Sequence, residues 1–398
     1  MLNKFFKIYL TSITVFLFSC TNDTSVTQPK DYISNDSYIV DYSNNDLRTI
    51  QLKNKIKQAK KEGLTIVQLG DSHTAADVMT MYLRNRLRTY LGTGSIGYIA
   101  PMKVPGQYNS LIGYKSTNVS LINARNHKEY NYTIGGLVAS FNSRGSIEYK
   151  AINGNTIPFS ELKITTRCTA LKDCIMIVSS DAGTETLSIR GNQWATYSVF
   201  IEGNFRISAN ANLELSGMYI NNTNKGVTVS ELGSNGATIY YLDTWGSDWT
   251  KQLAALKPDL VILAFGTNES YNQNFDSKQY IKDYSQLISS IKANTQAQVM
   301  LLSNPDTLNI AINKNLANTR CNNLQHAGVD TVYYDLVRIA RSNQVLFWDW
   351  RQAMGGSCSA IKQQNAQILR NDGVHFSANG YRLFGYQLAH DIIKLGDK

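Results

Sequence analysis

This sequence is short of the features that mark several broad protein classes. Its N-terminal apolar run, Ile8 to Phe18, covers about 11 residues where the hydrocarbon core of a bilayer needs roughly 20, so it offers no permanent membrane span. There is no Cys-x-x-Cys pair, and the five histidines are scattered, which leaves no spacing for a metal site. Only 17% of the chain is charged, and the excess of 39 Lys and Arg over 30 Asp and Glu, a net +9, is dispersed rather than gathered into a helical stripe. That dispersal describes a solvated basic surface and argues against a nucleic-acid partner. No internal repeat and no long low-complexity tract is present.

What is present begins with an export pattern. Met1 to Phe6, carrying Lys4, precedes the apolar run, which ends in Leu17-Phe18-Ser19-Cys20 and passes into a polar stretch. A small residue followed by Cys at such a cleavage point resembles a bacterial lipobox. The expectation is a leader over 1–20, lipidation at Cys20, a flexible tether over 21–45 and a periplasmic, lipid-anchored protein. After Cys20 come Cys168, Cys174, Cys321 and Cys358, an even number in an exported chain, so two disulfides are expected. The local pairing is Cys168 with Cys174 and Cys321 with Cys358, with free buried thiols as the alternative.

With 398 residues, 43% of them apolar, the chain has material for two domains. Thr65 to Leu69 is a β-branched apolar run closed by Gly70-Asp71-Ser72-His73, and helical spacing follows from Val78 to Leu91. A second buried strand, Leu260 to Phe265, closes in Gly266-Thr267-Asn268. Further strands are expected at 299–303 and 345–350, with helices at 279–292, 329–341 and 378–394, the last capped by Ser377. Continuous apolar strands alternating with helices predict an α/β fold with a parallel sheet covered on both faces. Between Gly92 and Val227 the texture changes to Tyr, Asn, Ser, Thr and Gly with short alternating segments, which predicts a β-sandwich. The expected division is an α/β domain from 46–95 and 228–398, interrupted by an inserted β-sandwich over 96–227.

A serine at the end of a central parallel strand, just before a helix, stands at the sheet edge where α/β proteins bind ligands, and helix N-terminal N–H groups face outward beside it. An alcohol is a poor nucleophile at neutral pH and needs a base, which in turn needs a carboxylate to fix its tautomer. Asp372-Gly373-Val374-His375 supplies both, because two intervening residues in a turn bring the carboxylate back onto Nδ1 and leave Nε2 free. His73 is expected to pack or touch substrate rather than act as base, and Asp71 to hydrogen-bond its turn. His127, His326 and His390 are read as surface or satisfied core.

Together these blocks resemble the SGNH-hydrolase superfamily, the GDSL esterases: Gly70-Asp71-Ser72, a glycine within Gly233 to Ala237, Gly266-Thr267-Asn268, and Asp372-Gly373-Val374-His375. The resemblance implies a flavodoxin-like three-layer α/β sandwich, Ser72 as nucleophile, His375 as base and Asp372 as its orienting acid. It also implies an oxyanion hole from the Ser72 N–H, a block-two glycine and the Asn268 amide, with no cofactor. Gly236 follows Asn235 as the family pattern does; Gly233 is the alternative. With His73 after the serine, an inserted β-domain and export, the chain is similar to bacterial O-acetylpeptidoglycan esterases, whose insertion resembles a carbohydrate-binding module. The implied partner is O-acetylated peptidoglycan and the implied reaction is removal of acetyl from the C6 hydroxyl of N-acetylmuramic acid. No protein partner is implied. An O-acetyltransferase, an esterase for another acetylated polysaccharide and a non-catalytic wall-binding lipoprotein are the alternatives. Trp194, Tyr197 and Tyr219 are candidate sugar-stacking faces in the insertion, weighed against the commoner role of aromatics as core.

The N-terminal reading generates the first prediction. Cys20→Ala is expected to convert a membrane-associated protein into a soluble or unprocessed one on cell fractionation, and an unchanged, normally processed membrane fraction would sink the lipoprotein expectation.

Overall fold

The computed structural model describes residues 33–309 and 324–397; the leader, Cys20, the first part of the expected tether and Cys321 lie outside the described residues. One six-stranded sheet holds, in spatial order, Ile39–Asp41, Leu346–Trp348, Gln298–Leu302, Leu260–Ala264, Leu64–Gly70 and Val227–Gly233. The first strand is antiparallel and the other five are parallel. Counted along the chain, the parallel strands run 2-1-3-4-5, which is the flavodoxin order.

The apolar strands are buried on both faces, and their parity divides the core. Ile66, Ile262 and Met300 face Leu83 and Leu87 of helix Val78–Leu91 and Phe384 and Leu388 of helix Ala378–Asp397. Val67, Val261 and Leu301 face Tyr280 and Ile288 of helix Ser277–Asn294 and Leu336 of helix Gly328–Ser342. Successive strand residues point to opposite faces, so one sheet serves two helical layers, each buried aliphatic side chain contributing about 1.5–3 kcal/mol. Helix starts follow their caps: Asp276 accepts from the N–H groups of Lys278 and Gln279, and Ser377 Oγ accepts from Gly380 as expected.

Two strands escape the sequence reading. Val227–Gly233 breaks its apolar run with Thr228 and the adjacent pair Ser230 and Glu231, which hides its place beside the strand leading to Ser72. Ile39–Asp41 falls inside the expected tether, which therefore does not extend to residue 45. Ser34 N–H donates to Gln387 and Tyr38 N–H to Asp391, both on the C-terminal helix, and Ile39–Asp41 pairs with Leu346–Trp348. The segment is thus held by backbone pairing and by the Gln387 and Asp391 side chains, with Tyr38 and Ile39 packed against the core.

Nine antiparallel strands between Gly97 and Asn221 form the second sheet, whose inward residues, among them Ile147, Leu162, Met176 and Ile207, make a separate core. Cys168 and Cys174 form the expected disulfide, with Cα atoms 5.6 Å apart. Cys358 is also disulfide-bonded.

The sandwich is tied to the helix region behind Ser72 by buried polar groups. Asp77 pairs with Arg84 at 3.0 Å, both about 2% exposed or less, and its other oxygen accepts from the N–H and hydroxyl of Ser110 at the start of the insertion. Arg84 also donates to the Val229 carbonyl. Removing one partner strands the other charge in the interior. Asp77→Ala is therefore expected to lower stability by about 3–5 kcal/mol in chemical denaturation. A loss below about 1 kcal/mol, the scale of an exposed pair, would show that this tie is not under such load.

Candidate active site

Gly70 ends the strand Leu64–Gly70 with its Cα in register with Gly233 on one side and Ala264 on the other. Three turns therefore leave the sheet at one height, at the point where the strand order reverses, which is where open α/β sheets bind ligands. A Cβ on Gly70 would lie 2.2 Å from Thr74 Oγ1 and 2.9 Å from the Ala264 carbonyl oxygen, so only glycine lets the short helix Ser72–Ala75 fold back over the strand end. Asp71 caps that helix by accepting the His73 N–H at 2.9 Å. Ser72, first in the helix, presents a part-buried hydroxyl.

The C-terminal block reaches this hydroxyl from 303 residues away: Ser72 Oγ and His375 Nε2 are 3.0 Å apart. His375 Nδ1 lies 3.1 Å from Asp372 Oδ2, while Asp372 Oδ1 accepts the N–H groups of Val374 and His375 at 2.9 and 2.8 Å. Gly373 makes this turn possible at φ +74°, a conformation that costs glycine nothing. The turn is fixed outward by the Leu308 N–H on the Gly373 carbonyl and by the Arg370 N–H on that of His375. Burial alone would raise the Asp372 carboxyl, but the hydrogen bonds from the His375 ring and from the two backbone N–H groups outweigh it and hold the pKa at about 2. Asp372 is therefore ionised at neutral pH and set to accept an Nδ1–H, which leaves Nε2 the acceptor toward Ser72.

His73 lies beneath this pair, 2% exposed, with its ring 5.5 Å from that of His375 and edge-on to Trp350 at 5.2 Å. Its Nδ1 meets the Tyr381 hydroxyl at 3.0 Å. Burial first, and the neighbouring His375 second, lower its pKa to about 3, so it is a neutral packing ring and not a base. Asp71 is buried and pushed up to about 6, opposed by hydrogen bonds from the His73 backbone and the Thr267 side chain, in keeping with a role in its turn.

In the neighbouring turns, Ser234 N–H donates to the Gly70 carbonyl at 3.0 Å, and the Asn268 amide donates to the Ala237 carbonyl at 2.8 Å. An amide nitrogen carries two hydrogens, so one N–H anchors block three to block two and the second remains available. Gly233 N–H approaches Glu231 Oε1 at 3.4 Å, whereas among the described residues the N–H groups of Ser72 and Gly236 donate to no protein acceptor. The backbone thus favours Gly236 over Gly233 as the open donor. No group of three or more His, Cys, Asp or Glu among the described residues is placed to hold a metal.

Other candidates lie elsewhere. Trp194 carries the Arg167 guanidinium on its ring at 4.3 Å, Tyr197 packs on the sandwich core, and Tyr219 packs against the sheet-domain core. His127 is exposed, His326 lies against Tyr271, and burial lowers the pKa of His390.

One residue of the site had no sequence signal beyond its position after Gly-Thr-Asn. Glu269, 2% exposed, accepts the Ile239 N–H with one oxygen and the Gly266 N–H with the other, each at 2.9 Å. It thereby fastens the block-three turn to the segment that leaves block two.

Residues 211–383 match the GDSL-like lipase/acylhydrolase family, and residues 94–203 match the peptidoglycan O-acetylesterase N-terminal family. Over residues 211–383 the chain is therefore similar to the GDSL-like hydrolases. A solved peptidoglycan O-acetylesterase is similar to this chain at 28% identity and a TM-score of 0.81, over 90% of this chain and 99% of that one. A Bacillus subtilis protein, YXIM, matches at 12% identity and a TM-score of 0.36, over 74% of this chain and 96% of that one. A family two carbohydrate esterase from Clostridium thermocellum matches at 13% and 0.31, over 69% and 98%. The last two likenesses are too low to carry an argument. No curated protein sequence matches the chain.

Glu269 generates a prediction with a defined sign. Burial raises its pKa from 4.5 to about 7, so the folded protein binds more protons than the unfolded chain between those values, and stability falls as pH rises through that window. Glu269→Gln is expected to remove this part of the pH slope. Because glutamine keeps only one acceptor oxygen for two N–H donors, the variant should also lose about 1–3 kcal/mol. Denaturation midpoints from pH 4 to 8 check both; an unchanged slope would rule out Glu269 as its source.

Proposed function

We propose that this protein is a serine esterase that removes O-acetyl groups from the C6 hydroxyl of N-acetylmuramic acid in peptidoglycan. The observation that carries the proposal is the hydrogen-bonded series Ser72, His375 and Asp372 at the sheet edge of a chain similar to a peptidoglycan O-acetylesterase over nearly its whole length. The matches to both the hydrolase and N-terminal families support the substrate class.

In this reading Ser72 Oγ attacks the acetyl carbonyl carbon as His375 Nε2 takes its proton, and Asp372 stabilises the imidazolium through Nδ1. The oxyanion of the tetrahedral intermediate is held by the N–H groups of Ser72 and Gly236 and the free N–H of Asn268, each donor contributing about 2.7–4 kcal/mol. Collapse breaks the ester bond, and His375 returns the proton to the departing sugar oxygen. Water then attacks the acetyl-serine with His375 again as base, releasing acetate and restoring the hydroxyl. The site needs no cofactor for these steps. Lipidation at Cys20 would keep the enzyme on the periplasmic side of a membrane, within reach of the wall.

Acetate release from O-acetylated peptidoglycan by the purified protein tests the proposal. Ser72→Ala and His375→Ala are each expected to abolish it nearly completely, with the double variant no worse, because members of such a unit do not act independently. Asp372→Asn should reduce turnover by up to about 10⁴-fold through the wrong tautomer. Asn268→Ala should lower kcat by about 10² to 10³ with little change in KM. Substantial activity in Ser72→Ala would overturn the assignment, and acetylated glycan formed in place of free acetate would mean transferase chemistry.

A further inference from the structure

Beside the candidate active site lies a cavity of about 280 Å3, formed between the inserted domain and the strand Val227–Gly233. Its size is at the lower edge of small-molecule pockets, which run from about 300 to 1,000 Å3. Gly233 lines it and is paired with Gly70, two residues before Ser72, so the cavity adjoins the turn that carries the nucleophile. Tyr108, 46% exposed, stands among its lining residues and marks its open side.

Two polar groups in its wall are incompletely used by the protein. The Tyr114 hydroxyl is buried, and apart from the nearby Ala100 backbone, which can only donate to its oxygen, it has no partner, so its own hydrogen meets no acceptor. Such a group costs about 1–3 kcal/mol if nothing pairs with it. Glu231 spends one carboxyl oxygen on a long contact to the Gly233 N–H, and its second oxygen has no protein partner among the described residues. Burial, and then the nearby Asp77, raise the Glu231 carboxyl well above the ordinary carboxylate range, so it does not present a fixed negative charge to a ligand. Against these groups stand the aliphatic side chains of Met102, Ile112 and Leu137.

We infer that this cavity is a subsite for the acetamido group of an N-acetylhexosamine residue in the glycan. The methyl group meets the aliphatic wall, the amide carbonyl accepts from the Tyr114 hydroxyl, and the amide N–H donates to Glu231. A free amine lacks both the methyl and the carbonyl and leaves the Tyr114 hydroxyl hydrogen without an acceptor, and sites built around a buried hydrogen bond reject analogues that lack it. A long acyl chain would fill the apolar wall but strand both polar groups. The inference rests on the proposed glycan substrate and adds that the insertion reads N-acetylation at a distance from the ester.

Calorimetric titration of the Ser72→Ala protein with a tetramer of N-acetylglucosamine and with the corresponding glucosamine tetramer tests it without any ester chemistry. The N-acetylated tetramer is expected to bind at least about tenfold more tightly, the effect of one buried hydrogen bond. Tyr114→Phe should weaken its binding by a similar factor while the melting temperature holds or rises, since the hydrogen of the hydroxyl removed meets no acceptor in the free protein. A merely structural Tyr114 would show the reverse. Equal affinity for the two tetramers, no binding of either, or binding indifferent to Tyr114→Phe would overturn the inference. Absence of acetate release by wild type, with selective tetramer binding intact, would instead fall on the proposed reaction and leave the subsite standing.

Discussion

The parallel register of Gly70 with Gly233 and Ala264 is the constraint on which the rest of the site depends. It brings to one height three turns that are up to about two hundred residues apart in the chain, so that Ser72, Gly236 and Asn268 emerge at one edge without any local sequence relation. A slip of one residue in either pairing would send alternate side chains to the wrong face and separate the turns. The insertion of more than a hundred residues between two of these strands does not disturb the register because its ends meet. Val227 N–H donates to the Gly92 carbonyl, and Leu64 N–H donates to the Gly226 carbonyl. The long excursion is closed by ladder bonds of the sheet itself, and closure entropy rises only slowly with the length enclosed.

Environment, rather than residue type, then sorts the ionisable groups of the site. Asp372, on an exposed turn and surrounded by donors, is held at about 2 and keeps its charge beside His375. Asp71 and Glu269, buried in the turns behind, are raised to about 6 and about 7, and His73 is lowered to about 3. The buried groups serve as hydrogen-bond anchors and packing, where full charge is a burden. In the proposed reaction the exposed carboxylate serves where charge is useful, opposite the developing imidazolium.

The legible parts of the sequence were those with a short-range cause. Leu64–Gly70 and Leu260–Ala264 announce themselves as unbroken apolar runs because both faces are covered, and Asp372 to His375 as a turn whose spacing alone returns the carboxylate to the ring. Val227–Gly233 did not, because as an outer strand it borders the insertion and carries Thr228 and Ser230 to accept the Ser95 and Tyr98 N–H groups. Ile39–Asp41 looked like tether because three residues of edge strand, fixed by partners more than three hundred residues away, have no periodicity to show. Glu269 was missed for the same reason: its two N–H donors, at 239 and 266, belong to different turns.

The insertion also takes part in the geometry of the site, beyond forming a neighbouring cavity. Gln107 donates to the Gly233 carbonyl at 3.3 Å and Gly106 accepts from the Asn235 amide at 2.9 Å, so a loop of the inserted segment holds both ends of the block-two turn. Arg125, from the same segment, lies so close to Gly236 that a Cβ there would come within 3.3 Å of its guanidinium. A backbone donor works in catalysis only when its direction is fixed before the charge develops, since reorganisation during the reaction would consume the gain. Gly236 itself is exposed between the buried Ser234 and Ala237, so its direction depends on these contacts, on the Ser234 bond to Gly70 and on the Asn268 bond to Ala237. In the proposed reaction the sandwich would thus act on the chemistry through the placement of one N–H group as well as through any contact with distant sugar units.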